Sequence, residues 1–214
     1  MKALHVTIVS DVICPWCYIG KRRFEKAVRA LGGEVETTLS WQPFELNPQM
    51  PREGMDRKAY RIAKFGSWAE SEEMDARIVE VGASEGIAFR FDLMKKAPNT
   101  FDAHRLIWFA GGKEQQDETV ERLFEAYFTQ GADVGDRETL LRIAEACALG
   151  REARRFLDSE DGRHEVAEAA VSARKKGIAA VPTFVVNQTH LVSGAQPAEI
   201  LEAMFRQLLA GPKP

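Results

Sequence analysis

The sequence predicts an α/β protein in which a small sheet domain is interrupted by a long helical segment. Residues 4–44 alternate an apolar β-like run, a helical pattern and a second β-like run, and strand character returns only at residue 183. Residues 48–173 between them carry apolar side chains at helical spacing with hardly any strand signal. We therefore expect a discontinuous domain, residues 1–47 and 174–214, around an all-helical insertion of residues 48–173.

The N-terminal part is predicted to fold as β-α-β. Residues 4–10 read as a buried strand, and residues 35–44 as a second strand rich in β-favouring side chains. The helix between them ends at Gly32-Gly33. Its apolar face is formed by residues at helical spacing: Gly20, Phe24, Ala27, Val28 and Leu31.

The C-terminal part supplies the missing half of the sheet domain. Residues 183–186 and 190–193 predict a β-hairpin with a tight turn at Asn187-Gln188. A last helix is expected to begin at Pro197, and residues 211–214 read as a loose tail. Within the insertion, residues 87–91 are predicted to form a short extended piece. The inner face of the last helix is expected to comprise Ile200, Leu201, Met204, Phe205 and Leu208.

Residues 14–17, Cys-Pro-Trp-Cys, stand at the junction of the first strand and the first helix. A Cys-x-x-Cys at such a junction, without a secretion signal, is typical of a thioredoxin-like redox motif. Proline favours the first helical position, because its missing N–H would be unpaired there anyway. Cys14 is therefore expected at the helix cap, where the free N–H groups and the helix dipole favour a thiolate. This predicts Cys14 as the attacking sulfur and Cys17 as the resolving thiol.

A zinc site is the alternative interpretation of the cysteine pair. Zinc would need two more ligands, usually a second close pair. Cys147 has no partner at ligand spacing and the four histidines are scattered singly, so no metal is predicted. Cys147 lies on an apolar stripe and is expected to be a small buried side chain.

A second part of the site is predicted where the returning strand begins, at Val181-Pro182-Thr183. A proline there cannot donate to a sheet ladder, and cis peptide bonds are essentially a proline feature. In a thioredoxin fold this proline is cis and faces the Cys14 sulfur, which leaves the backbone of Val181 free to hold an extended substrate segment. A trans proline that starts an edge strand is the alternative for the motif on its own.

The composition argues against several classes of protein. With 45% hydrophobic and 29% charged residues among 214, the chain is of the ordinary soluble globular type. A net charge of −3 gives no reason to expect nucleic acid or an anionic membrane as a partner. No run approaches the ~18 apolar residues of a membrane helix, and residues 1–9 are too short and polar for a signal segment. We expect a cytoplasmic location, where a transient catalytic disulfide fits better than a lasting one.

Several motifs follow one another in order over nearly the whole chain. They are residues 10–20, Asn47-Pro48, the segment from Asn99-Thr100 to Ala103-His104, Val181-Pro182-Thr183 and residues 192–197. Together they resemble the FrnE-like branch of the DsbA-like oxidoreductases. The resemblance implies a thioredoxin domain split by a helical domain, Cys14 as nucleophile, Cys17 as resolving thiol and Pro182 in cis. It also implies dithiol–disulfide exchange, with the disulfide as the redox group and no metal or organic cofactor.

Trp16 is a departure from the periplasmic DsbA pattern, which has a histidine there and a secretion signal. A histidinium would help to hold the thiolate, whereas Trp16 brings no charge. We therefore expect a more reducing couple than DsbA, suited to a reductase or isomerase rather than a strong oxidase. Trp16 itself contacts substrate or covers the junction between the domains. Asp11 is expected to form a turn or a cap.

The substrate-binding candidates are Pro15, Trp16, Val181, Pro182 and His104. His104 is included because the corresponding region faces the active site in the related kappa-class glutathione transferases and chromene-carboxylate isomerases; a structural histidine is the alternative. The expected partners are protein or small-molecule thiols and disulfides, with the oligomeric state left open.

Two further functions stay open. One is a glutathione-dependent isomerase or transferase that acts on a small aromatic or polyketide-like molecule, with glutathione as co-substrate. Its known examples usually carry a serine where Cys14 stands, so the intact cysteine pair argues against it. The other is a non-enzymatic protein that binds extended segments between its domains.

Overall fold

Two parts of the chain that are far apart in sequence meet in one four-stranded sheet. The computed structural model describes residues 2–33 and 35–211. Its strands are β1 (Lys2–Ser10), β2 (Val35–Pro43), β5 (Thr183–Val186) and β6 (His190–Ser193). The strand order is β2-β1-β5-β6, with β1 parallel to β2 and antiparallel to β5, and with β5 antiparallel to β6.

The pairing of β1 with β5 brings the two predicted parts of the site together. β1 leads at its carboxyl end towards Cys14, and β5 begins directly after Pro182. Val9 lies opposite Thr183 in the antiparallel register, so the end of β1 lies beside the beginning of β5. Main-chain hydrogen bonds of the sheet thus bring together two segments that are about 170 residues apart in the chain.

Helices α1 (Pro15–Leu31) and α9 (Ala198–Ala210) pack against each other beside the sheet. Phe24 of α1 contacts both Phe184 of β5 and Phe205 of α9, with ring centroids 6.0 Å apart in each pair. The predicted inner face of α9 is correct for Leu201 and Phe205, which are fully buried. It is wrong for Ile200, which is 56% exposed. The face of α9 that packs against the protein is narrower than the stripe of apolar residues on the helix, so Ile200 at its margin stays exposed.

Seven α-helices lie between β2 and β5, and the predicted fold class is confirmed. The extended piece predicted at residues 87–91 forms no strand: residues 87–90 have no regular secondary structure, and Phe91 begins a 3₁₀-helix that ends at Leu93. Two strands of two residues each, β3 (Met55–Asp56) and β4 (Lys96–Ala97), pair with each other in antiparallel direction instead. They are too short to show an alternating pattern in the sequence. The elements are β3 (Met55–Asp56), α2 (Arg57–Phe65), α3 (Trp68–Ser84), β4 (Lys96–Ala97), α4 (Phe101–Gly111), α5 (Gln116–Phe128), α6 (Arg137–Ala146), α7 (Gly150–Asp158) and α8 (Arg163–Lys175).

The boundary expected between residues 173 and 174 falls inside α8. Ala173 of that helix packs with Val9, Phe44 and Ile178 in a small apolar cluster beside the sheet. The end of α8 therefore shares a core with the sheet. Of the expected tail, residues 212–214 lie outside the described residues. In the described ranges no helix is both long and apolar enough to cross a bilayer.

Side-chain contacts between α1 and α5 help to hold the helical segment to the sheet domain, beside the contacts that α4, α5 and α8 make with β2. Tyr18 stacks on Phe124 with ring centroids 5.0 Å apart, and its hydroxyl donates to Glu121 across 3.1 Å. Arg22 donates to the same carboxylate, and the Lys21 ammonium lies 3.0 Å from it. These contacts lie on the helix that follows the cysteines, so they also set the position of the insertion relative to Cys14.

Candidate functional site

Cys14 is the N-cap residue of α1, and Pro15 occupies the first helical position. Its backbone is extended, its N–H donates to the Asp11 carbonyl, and its own carbonyl accepts from Cys17 N–H. Both hydrogen bonds are 3.0 Å long. The Cys14 side chain makes no capping bond to the N–H groups of the first turn, and its sulfur lies at the positive end of the helix dipole.

Cys17 lies one turn deeper and is completely buried, whereas Cys14 is 5% exposed. Burial raises the pKa of the Cys17 thiol well above its ordinary value, and the hydrogen bond with Cys14 and the charge there raise it further. A hydrogen bond with the backbone of Asp11 acts in the opposite direction. Both cysteines are free thiols, as is the buried Cys147, whose predicted burial is confirmed.

The Val181–Pro182 peptide bond is cis. The Cys14 Sγ lies 3.6 Å from the Val181 carbonyl oxygen, to which the thiol donates. Gly20 of α1 faces the Pro182 ring: a Cβ at Gly20 would lie 2.9 Å from Pro182 Cγ and 3.4 Å from Phe184. The absence of a side chain at Gly20 therefore lets α1 approach the proline closely.

A cavity of about 400 Å³ opens beside Cys14. Pro15, Trp16 and Val181 line it together with Cys14, so four of the predicted site residues share one wall. Trp16 is 39% exposed there, a position from which it can contact a bound molecule. Pro182 lies behind Val181 and does not line the cavity, which agrees with its contact to Gly20.

His104 is not on the cavity wall. It is 2% exposed, and its Nε2 lies 3.4 Å from Oδ1 of the fully buried Asp11. Neither of these two atoms has a hydrogen-bond partner among the described residues. The other oxygen of Asp11 accepts from the Leu46 N–H across 2.7 Å, a bond to a residue 35 positions away and not the local turn or cap expected for this side chain. The position of His104 thus supports contact with Asp11 behind the cysteines rather than contact with substrate.

Sequence reasoning missed the basic wall of the cavity. Arg57, Arg61 and Lys64 of α2 line it, as does Tyr127 of α5. A signal was present, because three basic residues at spacings of four and three fall on one side of a helix. The sequence did not show that this side faces Cys14. Among the described residues, no group of three or more histidine, cysteine, aspartate or glutamate side chains is arranged to hold a metal ion.

Comparisons with known proteins agree on the family. Residues 5–206 match the model of the DSBA-like thioredoxin domain. The crystal structure of a probable DsbA oxidoreductase from Streptomyces coelicolor is 30% identical, with a TM-score of 0.88 over 99% of this chain and 92% of that one. Two less similar structures share the fold. A 2-hydroxychromene-2-carboxylate isomerase is 17% identical, with a TM-score of 0.73 over 95% of each chain. The cytosolic disulfide reductase DsbM from Pseudomonas aeruginosa, solved with GSH, is 18% identical, with a TM-score of 0.65 over 94% of this chain and 99% of that one. The chain therefore belongs to the DSBA-like thioredoxin domain family.

Proposed function

We propose that the protein is a thiol–disulfide oxidoreductase with Cys14 as nucleophile and Cys17 as resolving thiol. The observation that carries the proposal is the position of the Cys14 sulfur, at the mouth of a cavity, at the first turn of a helix and 3.6 Å from the Val181 carbonyl. Helix N-termini favour thiolate over thiol, and the thiolate is the nucleophile in disulfide exchange.

The burial of Cys17 supports this division of roles. Cys17 has no exposed surface and a raised pKa, so it stays a protonated thiol while Cys14 meets the substrate. The Cys14 thiolate attacks one sulfur of a substrate disulfide, the substrate S–S bond breaks, and one substrate thiolate leaves. The mixed disulfide then lies beside Cys17. Cys17 gives up its proton to a departing thiolate or to water and attacks the Cys14 sulfur. The second substrate thiolate leaves, the protein becomes oxidised, and the substrate has gained two electrons.

A reducing direction fits the residue between the cysteines. Trp16 supplies no positive charge that would stabilise reduced Cys14 as a thiolate, so the couple is expected to be more reducing than that of DsbA at about −120 mV. Work as a reductase or isomerase in the cytoplasm is part of the proposal. A titration against glutathione buffers tests it, and a potential near the DsbA value would contradict it.

A glutathione-dependent isomerase or transferase is the second candidate. The cavity favours it, because about 400 Å³ lies in the range of small-ligand sites, and the isomerase named above shares the fold. The cysteine pair favours exchange chemistry instead. A Cys17→Ala variant separates the two, since an isomerase would keep its turnover with glutathione while a dithiol reductase would stop at the mixed disulfide.

Trapping is the direct test. A Cys17→Ala variant is expected to accumulate a mixed disulfide on Cys14 with substrates from a cell extract, identified by mass spectrometry. Cys147→Ala is the matched control, because it removes a buried cysteine away from the cavity and should leave exchange unaffected. Full exchange activity in a Cys14→Ser variant would rule the proposal out.

A further inference from the structure

The cavity beside Cys14 has one apolar wall and one cationic wall. Aromatic and aliphatic side chains, among them Ile78, Phe91 and Phe128, form the apolar wall. Arg57, Arg61 and Lys64 form the other, and no aspartate or glutamate of the described residues lines the cavity. The two sets adjoin each other, since the Arg57 guanidinium carbon lies 5.6 Å from the centroid of the Phe91 ring. A molecule that fills this space therefore meets both hydrocarbon and positive charge.

The positive charge of this wall is only partly neutralised. Asp75 lies behind the wall and bonds to both Arg57 and Arg61, so two guanidinium groups share one carboxylate. The Lys64 ammonium donates to neutral oxygens in the described structure, Asn47 Oδ1 at 3.1 Å and Tyr60 Oη at 2.6 Å. Burial lowers the pKa of Arg61; the charge of Arg57 lowers it further, and Asp75 opposes both. Three cations against one carboxylate leave an excess of positive charge at the cavity.

Tyr127 adds a neutral side chain to the lining of the cavity. The residue is 7% exposed. Burial raises the pKa of its phenol, so the hydroxyl holds its proton and is able to donate. An acceptor bound next to Tyr127 therefore meets this donor as well as the cations of the basic wall.

The size of the cavity limits the kind of molecule that can carry this acceptor. About 400 Å³ is enough for a small molecule and too little for a folded domain. The two walls require an apolar body and an anionic group in the same molecule. A carboxylate suits the anionic group, because guanidinium, ammonium and phenol donors all form strong hydrogen bonds to it.

We propose that the substrate at Cys14 is a small apolar disulfide that carries a carboxylate, which binds at Lys64 and Arg61. This inference rests on the proposed thiol–disulfide exchange. The Cys14 thiolate forms a bond to one substrate sulfur while the substrate S–S bond breaks. Cys17 then gives its proton to the first released thiolate and attacks the Cys14 sulfur, which breaks the mixed disulfide and releases the second substrate thiolate. Two electrons pass from the cysteine pair to the substrate, and the protein ends with a Cys14–Cys17 disulfide.

The test compares two aromatic disulfides in a single turnover of the reduced full-length protein. Dithiobis-nitrobenzoate carries two carboxylates, and dithiodipyridine is a smaller aromatic disulfide that is uncharged at neutral pH. Each rate of thiol release is divided by the rate of the same disulfide with free mercaptoethanol, to remove its intrinsic reactivity. We expect the wild-type protein to prefer the dianion. Lys64→Gln should lower the ratio of the normalised rate of the dianion to that of the uncharged disulfide about fivefold to tenfold. Arg61→Gln should lower the ratio in the same direction.

Lys58→Gln is the matched control. It removes one positive charge from the same helix, but Lys58 lies over the Trp68 ring and does not line the cavity. An equal fall of the ratio in Lys58→Gln would mean that the overall charge of the protein attracts the dianion, and would overturn the proposed carboxylate site. An unchanged ratio in both Lys64→Gln and Arg61→Gln would overturn it as well.

Binding without chemistry separates this inference from the proposed function. Calorimetry with naphthoate on the Cys14→Ser variant should show binding that Lys64→Gln weakens, whereas uncharged naphthalene-methanol should bind more weakly than naphthoate. Equal binding of the two compounds would overturn the carboxylate site even if Cys14 reacts with disulfides. A wild-type protein that reduces neither disulfide but binds naphthoate would instead refute the exchange chemistry, and with it the assignment of this ligand as a substrate.

Discussion

The Cys14 thiol donates to the main-chain carbonyl of Val181 across 3.6 Å, although 167 positions separate the two residues. This hydrogen bond exists only while Cys14 is protonated. When the thiolate forms, the carbonyl loses its donor and becomes available to a substrate N–H. The relationship thus links the charge state of Cys14 to the main chain at Val181, where the proposed function would hold an extended substrate segment.

Cys17 is expected to resist alkylation at neutral pH, because burial and the neighbouring Cys14 raise its pKa above the ordinary 9.0. Iodoacetamide should label Cys14 in the reduced protein and leave Cys17 unmodified, as measured by mass spectrometry. A raised folded-state pKa means that the folded protein holds this proton more tightly. Its contribution to stability is therefore present below pH 9.0 and is lost as the pH rises through the folded-state value. Labelling of Cys17 as fast as Cys14 would contradict this.

Gly20→Ala is expected to destabilise the protein by up to about 2 kcal/mol. The new Cβ would lie 2.9 Å from the Pro182 ring, and overpacking of this kind costs about 1–3 kcal/mol, less about 1 kcal/mol gained in helix propensity. Exchange should slow too, because the proline is displaced from Cys14. Urea unfolding and a single-turnover assay measure the two effects.

Gly112→Ala serves as the control for Gly20→Ala. Gly112 follows α4 with φ −71°, and a Cβ there would make an ordinary 3.6 Å contact with the Phe109 carbonyl. We expect a change within about 0.5 kcal/mol. Equal stability of the two variants would mean that Gly20 is not needed for the close approach to Pro182.

Glu121→Gln should weaken the attachment of the helical segment to α1. Burial alone would raise the pKa of Glu121, but the hydrogen bonds and charges of Arg22 and Lys21 outweigh it and hold the pKa below the ordinary 4.5. We expect a loss of about 1–3 kcal/mol in urea unfolding, because hydrogen bonds between charged groups are lost and Lys21 is 3% exposed.

The pH dependence follows from the same shift. A lowered folded-state pKa contributes stability above pH 4.5, which is lost as the pH falls through the folded value. Wild type and Glu121→Gln should therefore converge in stability under acid. Glu118→Gln is the control, since this exposed residue pairs only with Arg122 at the surface in the described structure and should cost less than about 1 kcal/mol. A constant difference between wild type and Glu121→Gln down to acid would contradict the assignment.

Asp11 and His104 are expected to be energetically coupled. Each is buried, and their nearest polar atoms lie 3.4 Å apart. Asp11→Ala also leaves the Leu46 N–H without its acceptor. A double-mutant cycle of Asp11→Ala and His104→Ala in urea should give a coupling of about 0.5–3 kcal/mol. The exposed His164 provides the comparison, and Asp11→Ala with His164→Ala should be additive. Additivity in both cycles would show that the Asp11–His104 contact carries no energy.

Trp16→His should make the cysteine couple more oxidising. An imidazolium at the first turn of α1 would stabilise reduced Cys14 as a thiolate, which Trp16 does not. We expect the reduction potential to rise by about 30 mV or more, equal to about tenfold in the exchange equilibrium with glutathione. Trp16→Phe is the control and should leave the potential within a few millivolts. A rise of the same size in both variants would show that loss of the indole, not gain of a charge, sets the potential.

Local residue patterns determined much of this protein. The Cys-Pro-Trp-Cys run defined the cap of α1, because a proline after the cap and an apolar face at helical spacing act between near neighbours in the chain. The hairpin turn was equally local, with Asn187 and Gln188 both at positive φ. The sequence placed Cys14 and Val181 in one site only through the expectation of a thioredoxin fold.

Tertiary packing decided the rest. The sequence shows that a helix carries His104 but not which part of the protein its side chain contacts. Only the packing of α4 places it against Asp11 instead of in the cavity. Likewise, the basic side of α2 reads as an ordinary solvated face until the Tyr18 and Glu121 contacts fix the helical segment against α1. Helical periodicity states which side chains share a face, but which surface that face meets is determined by contacts between residues distant in the chain.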